Sequence, residues 1–160
     1  MNSFRVGYGE DIHAFVEGRP LILCGVNIPY RQGLLGHSDA DAPLHALSDA
    51  LLGALALGDI GKYFPSTDPK CEGIASSLIV KKCLSLVTSK GYTVNNVDIT
   101  ISSEEPKLSP YISKMAESVA QLLSIPVADV SIKAMTNEGF DAVGEKKALR
   151  AVALVSLRGD

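Results

Sequence analysis

The residue pattern predicts an α+β domain in which helices lie on one face of a mixed β-sheet. Three observations predict it. Strand-like and helix-like segments follow one another in the order β-β-α-α-β-α-β-β, with short links. The N-terminal segment alternates apolar residues with polar ones or glycine, the period of a half-buried strand. The last segment, Leu149 to Leu157, is apolar at almost every position, as in a strand buried on both faces.

The first strand is carried by Phe4, Val6 and Tyr8, which alternate with Arg5, Gly7 and Gly9. It runs on through Asp11 and His13, whose spacing of two puts both side chains on one face of an extended chain. Leu21–Cys24 and Val26–Ile28 form a second strand region, closed by the turns Pro29-Tyr30 and Gln32-Gly33. The first helix starts at Asp39 or Asp41 as N-cap, with Pro43 in its first turn. Leu44, Leu47, Leu51 and Leu55 form its core stripe, while Ala46, Ala50, Gly53 and Ala54 leave the other side small enough for close packing. Gly58 is the expected stop.

Residues 62–73 read as a loop bounded by Pro65 and Pro69, and 74–90 as a second helix ending at Gly91. Tyr92 to Ser102 is a strand or a hairpin pair. Ser109-Pro110 opens a third helix as N-cap and first helical residue. Its stripe is Ile112, Met115, Val119 and Leu122, and it ends before Pro126. Val130, Ile132 and Ala134 mark a further strand, followed by a polar loop from Thr136 to Glu145. This layering is expected to be ferredoxin-like. A final strand apolar on both faces invites cover from another subunit.

A length of 160 residues suits a single domain, 1–160. A net charge of −3 argues against nucleic-acid or anionic-membrane partners, which require a basic face. No apolar run approaches the ~20 residues of a membrane span. Met1-Asn2-Ser3 runs directly into the first strand, so no signal or transit peptide is expected and the location is cytoplasmic. That reading suits a bacterial protein, and a processed plastid form is equally compatible. The cysteines, Cys24, Cys71 and Cys83, are odd in number and widely spaced, as reduced thiols are.

Two of the three histidines, His37 and His45, lie within Gly36–Asp68, close to several carboxylates. Asp11 and His13 on a strand and His45 on a helix supply three N/O ligands, an arrangement that leaves the fourth position of zinc open. Asp41 and Asp49, each one helical turn from His45, are candidates to hold its second nitrogen. The alternative is that all three histidines are ordinary surface or hydrogen-bonded residues. Ser38, Asp39 and the first N–H groups of the helix suit either an anion or plain capping. Asp59 and Asp68 suit a polyol or simply a turn. Residues 103–109 could cradle a small ligand or be a surface loop. Glu138 is a candidate for a harder cation such as magnesium.

Together these pieces resemble the 2-C-methyl-D-erythritol 2,4-cyclodiphosphate synthase family of the non-mevalonate isoprenoid pathway. The resemblance spans the chain. It rests on Asp11-Ile12-His13, on His37-Ser38-Asp39-Ala40-Asp41 with His45-Ala46, and on Gly58-Asp59-Ile60-Gly61-Lys62 with Phe64 to Pro69. Pro106-Lys107, and Lys133-Ala134 before Thr136 and Glu138, complete it. The resemblance implies one zinc per subunit at Asp11, His13 and His45, and a second divalent ion, magnesium or manganese, near Glu138. It implies a nucleotide-linked substrate, 4-diphosphocytidyl-2-C-methyl-D-erythritol 2-phosphate, cyclised with loss of CMP.

By the same resemblance, His37 and Thr136 stabilise the transition state, and Ser38 lies on the phosphate side. Asp59, Ile60, Gly61, Phe64, Pro65, Ser66, Thr67 and Asp68 line the methylerythritol pocket. Ser103, Pro106, Lys107 and Leu108 line the cytidine pocket. The implied assembly is a homotrimer with sites between subunits. Two departures stand out: Ser66 replaces a common Asp, and Glu145 falls where many members carry an Arg that helps an axial cavity bind an isoprenoid diphosphate. Rival readings are a zinc-dependent phosphohydrolase and a non-catalytic metal- or isoprenoid-binding trimer.

Overall fold

A computed structural model describes residues 3–159; Met1, Asn2 and Asp160 lie outside the described residues. The chain runs through β1 (Ser3–Glu17), β2 (Leu21–Leu23), β3 (Val26–Ile28), β4 (Gln32–Leu34), α1 (Ala42–Ala54) and α2 (Ile60–Tyr63). It continues with α3 (Ser76–Ser89), β5 (Tyr92–Ser102), α4 (Ile112–Leu123), β6 (Val130–Met135), α5 (Asp141–Gly144) and β7 (Ala148–Gly159).

One five-stranded sheet has the order β4-β1-β7-β5-β6, and β2 and β3 form a separate hairpin. Within the five-stranded sheet only β5 and β6 run parallel. The mixed sheet with helices on one face is as the sequence predicts. The ferredoxin-like topology is not: that fold reads βαββαβ, whereas here β6 leads into β7 with only α5 between, and β7 inserts between β1 and β5. Strand periodicity reports burial and says nothing about which strand lies beside which.

The side of β1 that faces α1 is nearly bare. A Cβ built on Gly7 or Gly9 would fall on the carbonyl oxygen of Ala50 or Ala46. Glycines on the strand and alanines on the helix therefore let the two backbones come together, and Asp11 and His13 follow on that same face. Leu44, Leu47 and Leu51 are buried on the other flank, so α1 is enclosed nearly all round.

The structure settles two alternatives that the sequence leaves open, the N-cap of α1 and the form of Tyr92–Ser102, and moves several boundaries. Asp41, not Asp39, caps α1, accepting from Leu44 N–H at 3.2 Å. The helix stops at Ala54, ahead of Gly58, because Ala56 turns left-handed (φ 55°) and returns its N–H to Gly53 O. The stretch read as loop at 62–73 includes the end of α2 and a 3₁₀ turn at Pro69–Cys71. Tyr92–Ser102 is one strand, not a hairpin pair. Ser109 does not cap α4, because Ser109–Tyr111 forms a 3₁₀ turn before it. The polar 136–145 segment contains α5. The three cysteines are free thiols. No helix among the described residues is long and apolar enough to cross a membrane.

Candidate metal centre

Close packing of β1 on α1 brings three donors to one point. Asp11 Oδ2 lies 2.8 Å from His13 Nε2 and 3.0 Å from His45 Nδ1. The two ring nitrogens are 3.4 Å apart. Among the described residues this is the group of His, Cys, Asp and Glu side chains that could hold a metal ion.

The far side of each ring shows what the facing nitrogen can offer. His13 Nδ1 is 2.6 Å from Leu35 O, a carbonyl that only accepts, so Nδ1 carries the hydrogen. A neutral His13 then turns the lone pair of Nε2 toward a carboxylate, an arrangement that repels unless a cation or proton sits between them. Burial pushes the Asp11 carboxyl up, but the hydrogen bonds from His13 and His45 outweigh it and hold it at about 2. His13 is raised above the ordinary imidazole range, chiefly by its hydrogen bond to Asp11. The cluster attracts positive charge, and one carboxylate with two imidazoles is a borderline N/O set suited to zinc. These residues fit the metal that the sequence predicted.

His45 is not held by Asp41 or Asp49, contrary to the sequence reading. Asp41 is turned the other way, accepting from Cys24 N–H at 2.9 Å and Gly25 N–H at 2.6 Å, and so pins the β2–β3 turn to the start of α1. Asp49 accepts from Ile60 N–H at 2.7 Å and anchors α2 instead. The second nitrogen of His45 meets Ser38 Oγ at 3.0 Å and Ser76 Oγ at 2.9 Å. Ser76 gave no sequence signal, because nothing local links it to a histidine 31 positions earlier. Arg19 was missed for the same reason. Its guanidinium donates to Gly36 O at 2.9 Å and Ser38 O at 2.5 Å, bracing the turn that carries His37.

The turn and the loop after α1 close on this cluster. A cavity of about 100 Å³ is lined by His37, Ser38, His45, Ile60, Phe64 and Ser66, among others. Asp59 caps α2, accepting from Lys62 N–H at 3.2 Å, and Asp68 accepts from Lys70 N–H at 2.9 Å. Gly61, Pro65, Ser66 and Thr67 are exposed beside them. A larger hollow of about 590 Å³, between Leu84, Val94, Ile125 and Arg158, has no metal-type cluster in its lining.

The remaining predicted residues gather elsewhere. Ser103 N–H donates to Met135 O at 2.9 Å, and Glu104 Oε1 accepts from Asn137 N–H at 2.7 Å. Residues 103–108 and 136–138 thus form one group at the ends of β5 and β6. Leu108 is buried there and Lys107 is exposed, while Thr136 Oγ1 donates to Glu138 Oε1 at 3.0 Å. Across the sheet Ile12 pairs with Arg150, Arg150 with Ser102, and Ser102 with Met135. Two strand spacings on the β5 side and three on the β6 side, about 10–14 Å, therefore separate this group from the metal cluster.

A model of the YgbB family matches residues 4–158. The chain belongs to that family. Over 98% of its length, and 98% of the relative's, it is 50% identical to a "2-C-methyl-D-erythritol 2,4-cyclodiphosphate synthase" of Syntrophobacter fumaroxidans. Among solved YgbB-like structures it resembles a CDP-bound 2C-methyl-D-erythritol-2,4-cyclodiphosphate synthase, with TM-score 0.89 and 40% identity. That match covers 96% of this chain and 99% of the other. The bifunctional IspDF of Campylobacter jejuni superposes with TM-score 0.96 at 35% identity, but the match spans only 43% of that longer chain.

Proposed function

We propose that the chain converts 4-diphosphocytidyl-2-C-methyl-D-erythritol 2-phosphate into 2-C-methyl-D-erythritol 2,4-cyclodiphosphate and releases CMP. It is then a cyclising phosphorus–oxygen lyase of non-mevalonate isoprenoid biosynthesis, working in the cytoplasm. The observation that carries this reading is the convergence of Asp11, His13 and His45 beside a cavity lined by His37, Ser38, Ile60, Phe64 and Ser66. Relatives that the chain matches over 96–98% of both lengths bear the synthase's name.

In the reaction an oxygen of the substrate's 2-phosphate attacks the β-phosphorus. A new P–O bond closes the ring as the bond to the CMP phosphate breaks and carries its electron pair away. The substrate supplies its own nucleophile, so the protein needs no activated serine or cysteine; it binds, aligns and neutralises. Zinc held by Asp11, His13 and His45, with magnesium or manganese near Glu138, would neutralise the crowded phosphoryl oxygens.

His37, exposed at the cavity mouth, and the hydroxyls of Ser38 and Thr136 can donate to phosphoryl oxygens as charge shifts toward the leaving phosphate. Asp59 and the Ile60–Gly61 backbone, with Phe64 to Asp68, form the wall against which the methylerythritol hydroxyls and methyl group rest. Ser103, Pro106, Lys107 and Leu108 form the cytidine side.

The two groups lie two to three strand spacings apart in one protomer, about 10–14 Å, and a neighbouring subunit is better placed to bring the second group against a phosphate held at the first. The face of the sheet away from the helices shows Phe4, Val6, Tyr8, Ile12 and Leu154 to solvent, an apolar stripe that calls for a partner. A homotrimer joined through that face supplies both needs, with residues 103–108, Thr136 and Glu138 of one subunit completing the metal side of its neighbour.

Phosphorus NMR of the purified protein with zinc, Mg²⁺ and the cytidyl substrate tests the reading. Cyclic diphosphate and CMP are the expected products. Inorganic phosphate would favour the hydrolase, and intact substrate after long incubation would remove the catalytic reading altogether.

A further inference from the structure

Behind the metal ligands lies a short buried chain of polar groups. Ser76, the first residue of α3, is fully buried. Its backbone N–H donates to Asp39 Oδ2 at 3.1 Å and its hydroxyl donates to Asp39 Oδ1. A carboxylate only accepts, so the single hydroxyl proton of Ser76 is committed to Asp39. Oγ can then face His45 Nε2, 2.9 Å away, only with a lone pair. Ser38 Oγ accepts from Ala40 N–H at 3.0 Å and has a further lone pair to turn toward the ring, so the proton-committed Ser76 oxygen decides the direction. The ring nitrogen between these two oxygens must be the donor, and a neutral imidazole with its hydrogen on Nε2 has its lone pair on Nδ1. Nδ1 is the atom aimed at Asp11 and His13.

We propose that Asp39 and Ser76 are positioning residues for the metal centre. Through a one-way chain of hydrogen bonds, they hold His45 in its Nε2–H form and leave Nδ1 free for a divalent cation. This deepens the metal reading above and rests on it. The chain also ties three separate segments together. Asp39 lies in the turn that carries His37 and Ser38, His45 in α1, and Ser76 in α3. Two further backbone bonds, Gly73 N–H to His37 O at 2.7 Å and Asp39 N–H to Ile74 O at 3.1 Å, fasten the turn to the approach of α3. Orientation of the ring and choice of its tautomer thus come from one construction, as outer partners of metal-bound histidines commonly provide.

A purely structural role, the anchoring of α3, would leave the ring chemistry untouched, and two measurements separate the cases. The first is zinc affinity by competition with a chromophoric chelator. The second is the tautomer of His45 in metal-free protein with ¹⁵N-labelled histidine, read from ring-nitrogen shifts at alkaline pH. Ser76→Ala is expected to weaken zinc binding about 10- to 100-fold and to move His45 toward a mixture of tautomers. Ser76→Thr, which keeps the hydroxyl, should stay near wild type in both. Ser48→Ala removes an equally buried serine whose hydroxyl donates to Leu44 O and makes no bond to His45, and should change neither.

A folded Ser76→Ala protein with wild-type zinc affinity and tautomer would overturn the proposal. So would metal-free wild-type protein with the hydrogen of His45 on Nδ1, which decides the matter even if Ser76→Ala does not fold. Wild-type protein that binds zinc no better than His45→Ala would strike the metal reading itself.

Discussion

Around Asp11, His13 and His45, donors from a strand and a helix meet because glycine and alanine let the two backbones touch, and each ring is fixed from behind by a carbonyl or a serine. At the far edge of the sheet, Thr136 and Glu138 stand exposed on a loop after β6, bonded to each other and with their neighbours tied to Glu104. The first region is pre-organised within one protomer. The second is open to solvent, and in the reading proposed above it is the half that a neighbouring subunit presents to the substrate. The difference teaches where rigidity is needed: a charge centre has to be set before a ligand arrives, whereas an exposed polar loop can be ordered by what it binds.

The sharpest break of this comparison is His45→Ala. It should abolish stoichiometric zinc, measured by mass spectrometry of the folded protein, and lower cyclisation by several orders of magnitude. Next comes mixing. With the shared sites proposed above, His45→Ala and Glu138→Ala proteins, each nearly inactive, should recover activity when dissociated and reassembled together, since some sites then draw both intact halves from different subunits. Mixed trimers that stay as inactive as the separate variants would show that each protomer holds a complete site.

Gly9→Ala tests the close approach that builds the metal half. Its methyl would strike the Ala46 carbonyl, backbone that cannot swing aside, so a loss of about 2–4 kcal/mol in urea unfolding is expected. An Ala at Gly139, where φ is +79° but no atom lies within 4 Å, should cost about 1 kcal/mol from backbone strain alone.

The last test concerns Asp41. Burial without a counter-charge pushes its carboxyl up to about 7, against the opposing N–H bonds from Gly25, Cys24 and Leu44. Because the folded value lies above the unfolded one of 3.8, its contribution to stability is complete below pH 3.8 and is lost as pH rises through about 7. Metal-free protein should therefore weaken over that window by up to about 1.4 kcal/mol per pH unit. Asp41→Asn, which stays neutral, should flatten the slope; an unchanged slope would place the titration elsewhere.

By itself the sequence determined the number and kind of most regular segments, the small-residue side of the first helix, and Asp11, His13 and His45 as candidate metal ligands. Each rests on local spacing: a period of two in strands, three to four in the helix, and one residue between Asp11 and His13. Short helices such as α2 and α5 escaped because four residues carry no periodicity. Strand order escaped because hydrophobic alternation fixes which face is buried but not which strand is the neighbour, so only the tertiary structure inserted β7 between β1 and β5. The same limit hid Ser76 and Arg19, and it misassigned Asp41 and Asp49 as partners of His45. Both aspartates lie one turn from that histidine, yet their carboxyls bond to backbone N–H groups that only folding brings within reach. A hydrogen bond is decided within 3 Å, and for groups distant in the chain that distance is set by packing.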